Sequence, residues 1–156
     1  LDGRACADSN VYRTLTEVLF LPLPPGILPA QRDVWMCDFD GFVVPEMVKE
    51  RRVIVISPRH HGAGVALVVP VSTTGPRAIR PVHIRLPGGA TYECFSGASE
   101  VWVKADLVAH VRFERLSRVR INYREIRTVR ISPEHFERVQ CGVLRALGLG
   151  RLAAYL

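Results

Sequence analysis

Residues 125–150 read EIRTVRISPEHFERVQCGVLRALGLG, and the apolar spacing in this stretch changes part-way along. Val129 and Ile131 keep the two-residue spacing of a strand, whose side chains alternate between faces. From Pro133 onward the apolar positions are Phe136, Val139, Val143, Leu144 and Leu147, one stripe of a helix. Ser132 is the residue type that caps a helix N-terminus, Pro133 suits the first helical position, and Gly148 suits the exit. The spacing predicts a sheet that ends by residue 131 and a helix over 132–147 packed against it.

Working back from that junction, the chain between residues 33 and 131 is mostly β in character. DVWMCDF, RVIVIS, VALVVPVS, PVHIRL, SEVWVKADLVAHVRF and EIRTVRIS are short, rich in Val, Ile and aromatics, and separated by Gly- and Pro-bearing loops. In PVHIRL, Val82, Ile84 and Leu86 share one face while His83 and Arg85 share the other, as a strand with one wet side requires. Several such strands before one amphipathic helix predict a mainly β (α+β) domain: a strongly bent antiparallel sheet or barrel with a C-terminal helix.

Residues 1–30 have a different texture. Val11, Leu15, Val18 and Leu19 fall near helical spacing behind Asp8 or Ser9, and PLPPGILP then favours an extended connection. The expectation is an N-terminal helical extension and Pro-rich linker over 1–30, followed by one domain over 31–156. A chain of 156 residues is of single-domain size. No apolar run approaches the ~20 residues of a membrane-spanning helix, and no signal peptide is expected because Arg13, Thr14, Thr16 and Glu17 interrupt the early apolar stretch. The first residue is Leu1 rather than Met, so further N-terminal residues are expected to precede it.

Cys6, Cys37, Cys94 and Cys141 are scattered with no CxxC pair, so no zinc site is expected, and a reduced cytoplasmic protein is the simplest reading. The formal charge is +6, carried by 19 Arg and 2 Lys against 15 acidic residues, which is compatible with a polyanionic partner.

Four places could carry chemistry. The first is the loop PEMVKERR, where Lys49, Arg51 and Arg52 stand beside Glu46 and Glu50. Such charges are commonly just solvated, yet an arginine fork also matches phosphate oxygens. The second is STTG, where Ser72 and Thr73 either hold a phosphate or satisfy their own turn. The third is WVKAD, where alternation places Trp102, Lys104 and Asp106 on one face: a salt bridge, or an acid/base pair beside an aromatic. The fourth is the arginine series from Arg112 to Arg130, in which Arg118 and Arg120 lie on the wet side of RVRIN, either solvated or forming a track for nucleic acid. His60 and His61 are adjacent in a loop without a companion ligand, and no metal is assigned to them.

Taken in order, RDVWMCDFD, the charged loop, RVIVIS, VVPVSTT, PVHIRLP, VWVKADLVAHVRFERL and RISPEHFERVQCGVLRALGL resemble the MazF/PemK family of toxin endoribonucleases. The resemblance runs from residue 33 to 147 and rests on the ordered set rather than on any one motif. It implies an SH3-like barrel with a C-terminal helix, a homodimer, metal- and cofactor-free cleavage of single-stranded RNA at specific sequences, and silencing by a cognate antitoxin.

Carried over residue by residue, the resemblance gives Arg51 as phosphate stabiliser and possible acid, Ser72 as phosphate positioner, Lys104 as second cation or acid, and Asp106 as base. Glu46, Lys49, Arg52, Thr73, Trp102, Arg118 and Arg120 would contact RNA. Two departures stand out: Arg52 where the family has Pro, and Lys104 where some members have Arg. These departures favour the alternative of a non-catalytic RNA-binding or topoisomerase-poisoning protein of the same fold, whereas the retained Arg51, Ser72 and Asp106 count against it and for the endoribonuclease.

Overall fold

The computed structural model describes residues 27–58, 64–122 and 124–155. Among the described residues there are nine strands: β1 (Asp33–Cys37), β2 (Arg51–Val55), β3 (Val65–Ser72), β4 (His83–Pro87), β5 (Glu100–Lys104), β6 (Ala109–Arg112), β7 (Leu116–Asn122), β8 (Glu125–Arg127) and β9 (Val129–Arg130). The helix α1 (Pro133–Ala146) follows. Every pairing is antiparallel, and the order across the sheet is β4-β5-β3-β2-β1-β7-β8, with β6 on β3 and β9 on β1. Among the described residues the sheet does not close. The expected N-terminal helix and the pair His60 and His61 lie outside the described residues.

Two strands make the bend. Along one edge β3 pairs first with β6, from Val65 to Val68, and then with β5 at Val71 and Ser72. In the same way β1 gives Asp33 and Val34 to β9 and Trp35 to Cys37 to β7. A strand that serves two partners along one edge must turn between them, so the sheet folds on itself.

The stretch SEVWVKADLVAHVRF, expected as one strand, is accordingly divided. β5 and β6 pair with different halves of β3, and a 3-10 turn at Ala105–Leu107 carries the chain round the corner.

The bend creates two cores. On the α1 side, Val34, Ile54, Val69, Val71, Ile84 and Val103 pack with Phe136, Val139 and Val143 of the helix. On the other side Trp35, Cys37, Val53, Val55, Val68 and Leu116 form a second cluster. Burial on both faces explains why β1, β2 and β3 read as nearly continuous apolar runs.

The helix begins as its sequence requires. Ser132 Oγ accepts the His135 N–H at 3.3 Å, and Pro133 fills the first position. Tyr92 locks this cap to the sheet, because its hydroxyl accepts the Ser132 N–H at 3.0 Å and lies 2.6 Å from His135 Nδ1. Gly142 allows close seating on β4: a Cβ there would lie 2.8 Å from Ile84 Cγ1.

At the open edge of the sheet, β4 has few free backbone groups. Arg138 of α1 donates to the Arg85 carbonyl at 2.8 Å, the His83 N–H is taken by the Arg80 carbonyl at 2.9 Å, and Pro87 has no N–H. No helix among the described residues is long and apolar enough to cross a membrane.

Candidate phosphate-binding site

The strand register brings together residues that are far apart in sequence. Trp102 of β5 pairs with Arg85 of β4 on one side and with Ser72 of β3 on the other. Val53 of β2 pairs with Pro70, and the same register continued by two residues sets Arg51 opposite Ser72. Val71, Val103 and Ile84 face the α1-side core. Alternation therefore puts Arg85, Trp102, Ser72 and Arg51 in one row on the opposite face of four consecutive strands.

The two neighbouring arginines of β2 consequently part company. Arg51 shares the row with Ser72. Arg52 shares the α1 side with Ile54; its Nε is buried without a hydrogen-bond partner, and its charge opposes the desolvation of Cys94. Burial nevertheless pushes the Cys94 thiol up from 9.0 to about 12. Burial raises Cys37 to about 12 as well, against the opposing charge of Arg115.

Ser72 and Trp102 have local duties. Ser72 is buried, and its Oγ donates to the Thr74 carbonyl at 3.0 Å and accepts the Thr74 N–H at 3.1 Å, so it closes the turn that presents exposed Thr73. Trp102 is only 8% exposed, and the Gly75 backbone lies against its indole edge. Its geometry is that of a platform under the loop after β3, not of a free ring awaiting a base.

Lys104 pairs with His83 in the next row of the same face. Asp106 is not a continuation of that strand but sits in the 3-10 turn, where its Oδ2 meets Arg80 Nη2 at 2.9 Å and faces His83 Nε2 at 3.7 Å. His83 Nδ1 accepts the Arg80 N–H at 3.2 Å, which places the proton of a neutral ring on Nε2, toward the carboxylate. Sequence reading missed both Arg80 and His83.

The remaining predicted residues are spread more widely. Glu46 accepts the Val43 N–H at 2.8 Å and so braces its own loop, while Lys49 is exposed beyond it. Arg115 anchors the start of the same loop through the Asp38 and Asp40 carbonyls at 3.2 and 2.7 Å. In the arginine series, Arg112 is paired with Glu114, Arg127 with Glu93 and Glu125, and Arg130 with Asp33. Arg118 and Arg120 stand on β7, two strands from Arg51, on the same face as the row. Among the described residues no three His, Cys, Asp or Glu side chains group as a metal site would need.

A family model for the PemK-like, MazF-like toxins of type II toxin–antitoxin systems matches residues 30–147. The chain belongs to that family. The Escherichia coli (strain K12) protein YifN is 35% identical over 85 residues, and the match covers 53% of this chain and 56% of YifN. The chain thus spans little more than half the length of that relative. Solved structures that share the fold include the following three. MazF from Deinococcus radiodurans has a TM-score of 0.60 at 18% identity, covering 78% of this chain and 98% of its own. An endoribonuclease from a mycobacterial species, in complex with its cognate antitoxin, gives 0.55 at 17% identity over 78% and 97%. The Mycobacterium tuberculosis toxin MazF-mt6 gives 0.53 at 15% identity over 76% and 98%. Each of the three covers about three quarters of the chain, and at these identities the likeness shows the fold.

Proposed function

We propose that this family member is an endoribonuclease that cleaves single-stranded RNA at specific sequences without a metal, by attack of a ribose 2′-OH on the adjacent phosphorus. The observation that carries the reading is the cross-strand row, which gathers Arg51 and the Ser72 turn on one face with Lys104 in the next row. In this reading Arg51 offers its planar fork to the phosphate and stabilises the charge that grows on the phosphorane. Ser72 orders the turn whose Thr73 meets the strand. Asp106 takes the 2′-OH proton, held in place by Arg80 and His83. As the P–O5′ bond breaks, the departing 5′-oxygen is protonated by the acid, Lys104 or Arg51, with Lys104 otherwise a second cation. Trp102 supports the site from beneath. Lys49, Arg118 and Arg120 attract the flanking phosphates, and Glu46 shapes the loop from which Lys49 projects.

The catalytic unit is residues 31–156, with 1–30 an appendage. It works in the cytoplasm as a homodimer that lays two copies of the row along one RNA, and a cognate antitoxin blocks it.

The test is incubation of the full chain with a long single-stranded RNA in EDTA, with mapping of the cut ends. Expected are cuts at a recurring sequence, 2′,3′-cyclic phosphate ends, and no cut where the attacking 2′-OH is replaced by hydrogen. RNA binding without any cleavage would instead establish the non-catalytic reading.

A further inference from the structure

A cleft of about 580 Å³ lies where the chain entering β4 meets helix α1. Its floor is apolar, made by Ile79, Pro81 and Ile84. Three guanidinium groups line it: Arg80 from the approach to β4, and Arg138 and Arg145 from the helix. The helix pair is seven residues apart, two turns, so both arginines project from one face about 10 Å apart along the axis. Among the described residues no carboxylate belongs to the lining, though Asp106 pairs with Arg80 at its margin, which leaves Arg138 and Arg145 as the cations without an ion pair there. Glu134, one turn before Arg138, lies outside the lining.

We infer that this cleft holds phosphates of the RNA strand outside the cleavage point, with Arg138 and Arg145 as the anchors. The inference rests on the endoribonuclease reading and extends it to a surface of the helix.

Two observations favour RNA over an acidic peptide. The edge of β4 that borders the cleft is already capped by Arg138, by the Arg80 turn and by Pro87. A peptide lying there would find few backbone partners, whereas a nucleic acid strand needs only side-chain forks for its phosphates. The cleft is also continuous with the proposed site, since Arg80 and His83 belong to its lining and both face Asp106.

The test uses the full-length protein and a fluorescent single-stranded RNA with 2′-O-methyl sugars, which binds without being cut. Affinity is measured by anisotropy across a salt series for wild type, for R138Q/R145Q and for the control R151Q. Arg151 is an exposed arginine beyond the helix and outside the cleft. Glutamine keeps a donor for the Arg85 carbonyl, and a thermal melt checks the fold.

Two lost phosphate contacts should make the slope of log K against log salt shallower by about 1.4 and weaken binding about tenfold or more at low salt. R151Q should leave the slope close to wild type. An unchanged slope in R138Q/R145Q, with wild type still cutting RNA, overturns the cleft assignment and leaves the endoribonuclease reading standing. A wild type that neither binds nor cuts RNA brings down both. If R138Q/R145Q loses binding of poly-glutamate but not of RNA, the cleft belongs to an acidic protein partner and the inference is wrong.

Discussion

Replacing Arg51 and Arg52 one at a time tests the face assignment on which the proposed site depends. The two guanidinium groups are adjacent in sequence and equal in charge, so a nonspecific electrostatic role would make the two alanine variants alike. The register separates them. Arg51 shares the row of Ser72, while Arg52 is turned to the α1-side core with a buried, unpartnered Nε. Loss of a donor aimed at developing negative charge costs about 10²–10³ in rate, so Arg51→Ala should lower kcat by that factor. Arg51 is half-buried at a strand end, and its truncation should change stability by no more than ~0.5 kcal/mol.

Arg52→Ala should do the reverse. It removes about two stem methylenes from a half-buried position, worth ~0.8 kcal/mol at ~0.8 kcal/mol per fully buried group, and cleavage should stay within about threefold of wild type. Arg52→Met keeps the stem and removes the orphaned donor, so it should melt at or above the wild-type temperature. Single-turnover cleavage of a labelled RNA and a thermal melt read both quantities. If Arg52→Ala is inactive while Arg51→Ala cuts normally, the assignment of faces on β2 is wrong.

Two further outcomes follow from the packing. Tyr92→Phe removes the hydroxyl that accepts the Ser132 N–H and contacts His135, and should cost about 1–3 kcal/mol in urea unfolding with no change in the sheet. The buried Cys37 and Cys94 thiols are raised to about 12, above their unfolded 9.0, so the folded state keeps protons that the unfolded state releases. The contribution of these two thiols to stability should therefore be fully present below pH 9 and be lost as the pH rises from 9 toward 12; an alkaline loss that is unchanged in a Cys37→Ala/Cys94→Ala variant, or rapid labelling of both thiols in native protein, would refute the burial argument.

How far the sequence could be read differed from element to element. The helix was open to reading because Ser132, Pro133 and the apolar stripe each act locally, and local physics places its start. β3 was readable as a strand from its Val-rich run, but its division between β5 and β6 was not, since nothing in VALVVPVS names two partners for one edge. The split of Arg51 from Arg52 was hidden for a related reason. RRVIV is buried on both faces, so no alternation marks which arginine faces which core. Asp106 was read as a strand residue because VWVKAD alternates well, whereas the chain turns at Ala105 to reach the other half of β3. Arg80, His83, Arg138 and Arg145 meet only through the seating of α1 on β4, a contact between segments some 50 residues or more apart; the seven-residue spacing of the helix arginines was the one local sign of it.

The shared edges of β1 and β3 also bear on how the molecule forms. β1 can be completed only when the chain has returned from its far end, because Asp33 binds Arg130 across 97 residues and Arg32 reaches the Ile131 carbonyl across 99. Hairpin contacts such as β2 with β3 close short loops and can form early, but the central strand stays half-paired until β7 and β9 arrive. Topologies dominated by such distant pairings fold on the millisecond-to-second scale. During synthesis, β1 leaves the ribosome about a hundred residues before its last partner, roughly 5–20 s at common elongation rates. For that interval its apolar, two-sided strand is open to any other chain that offers an edge.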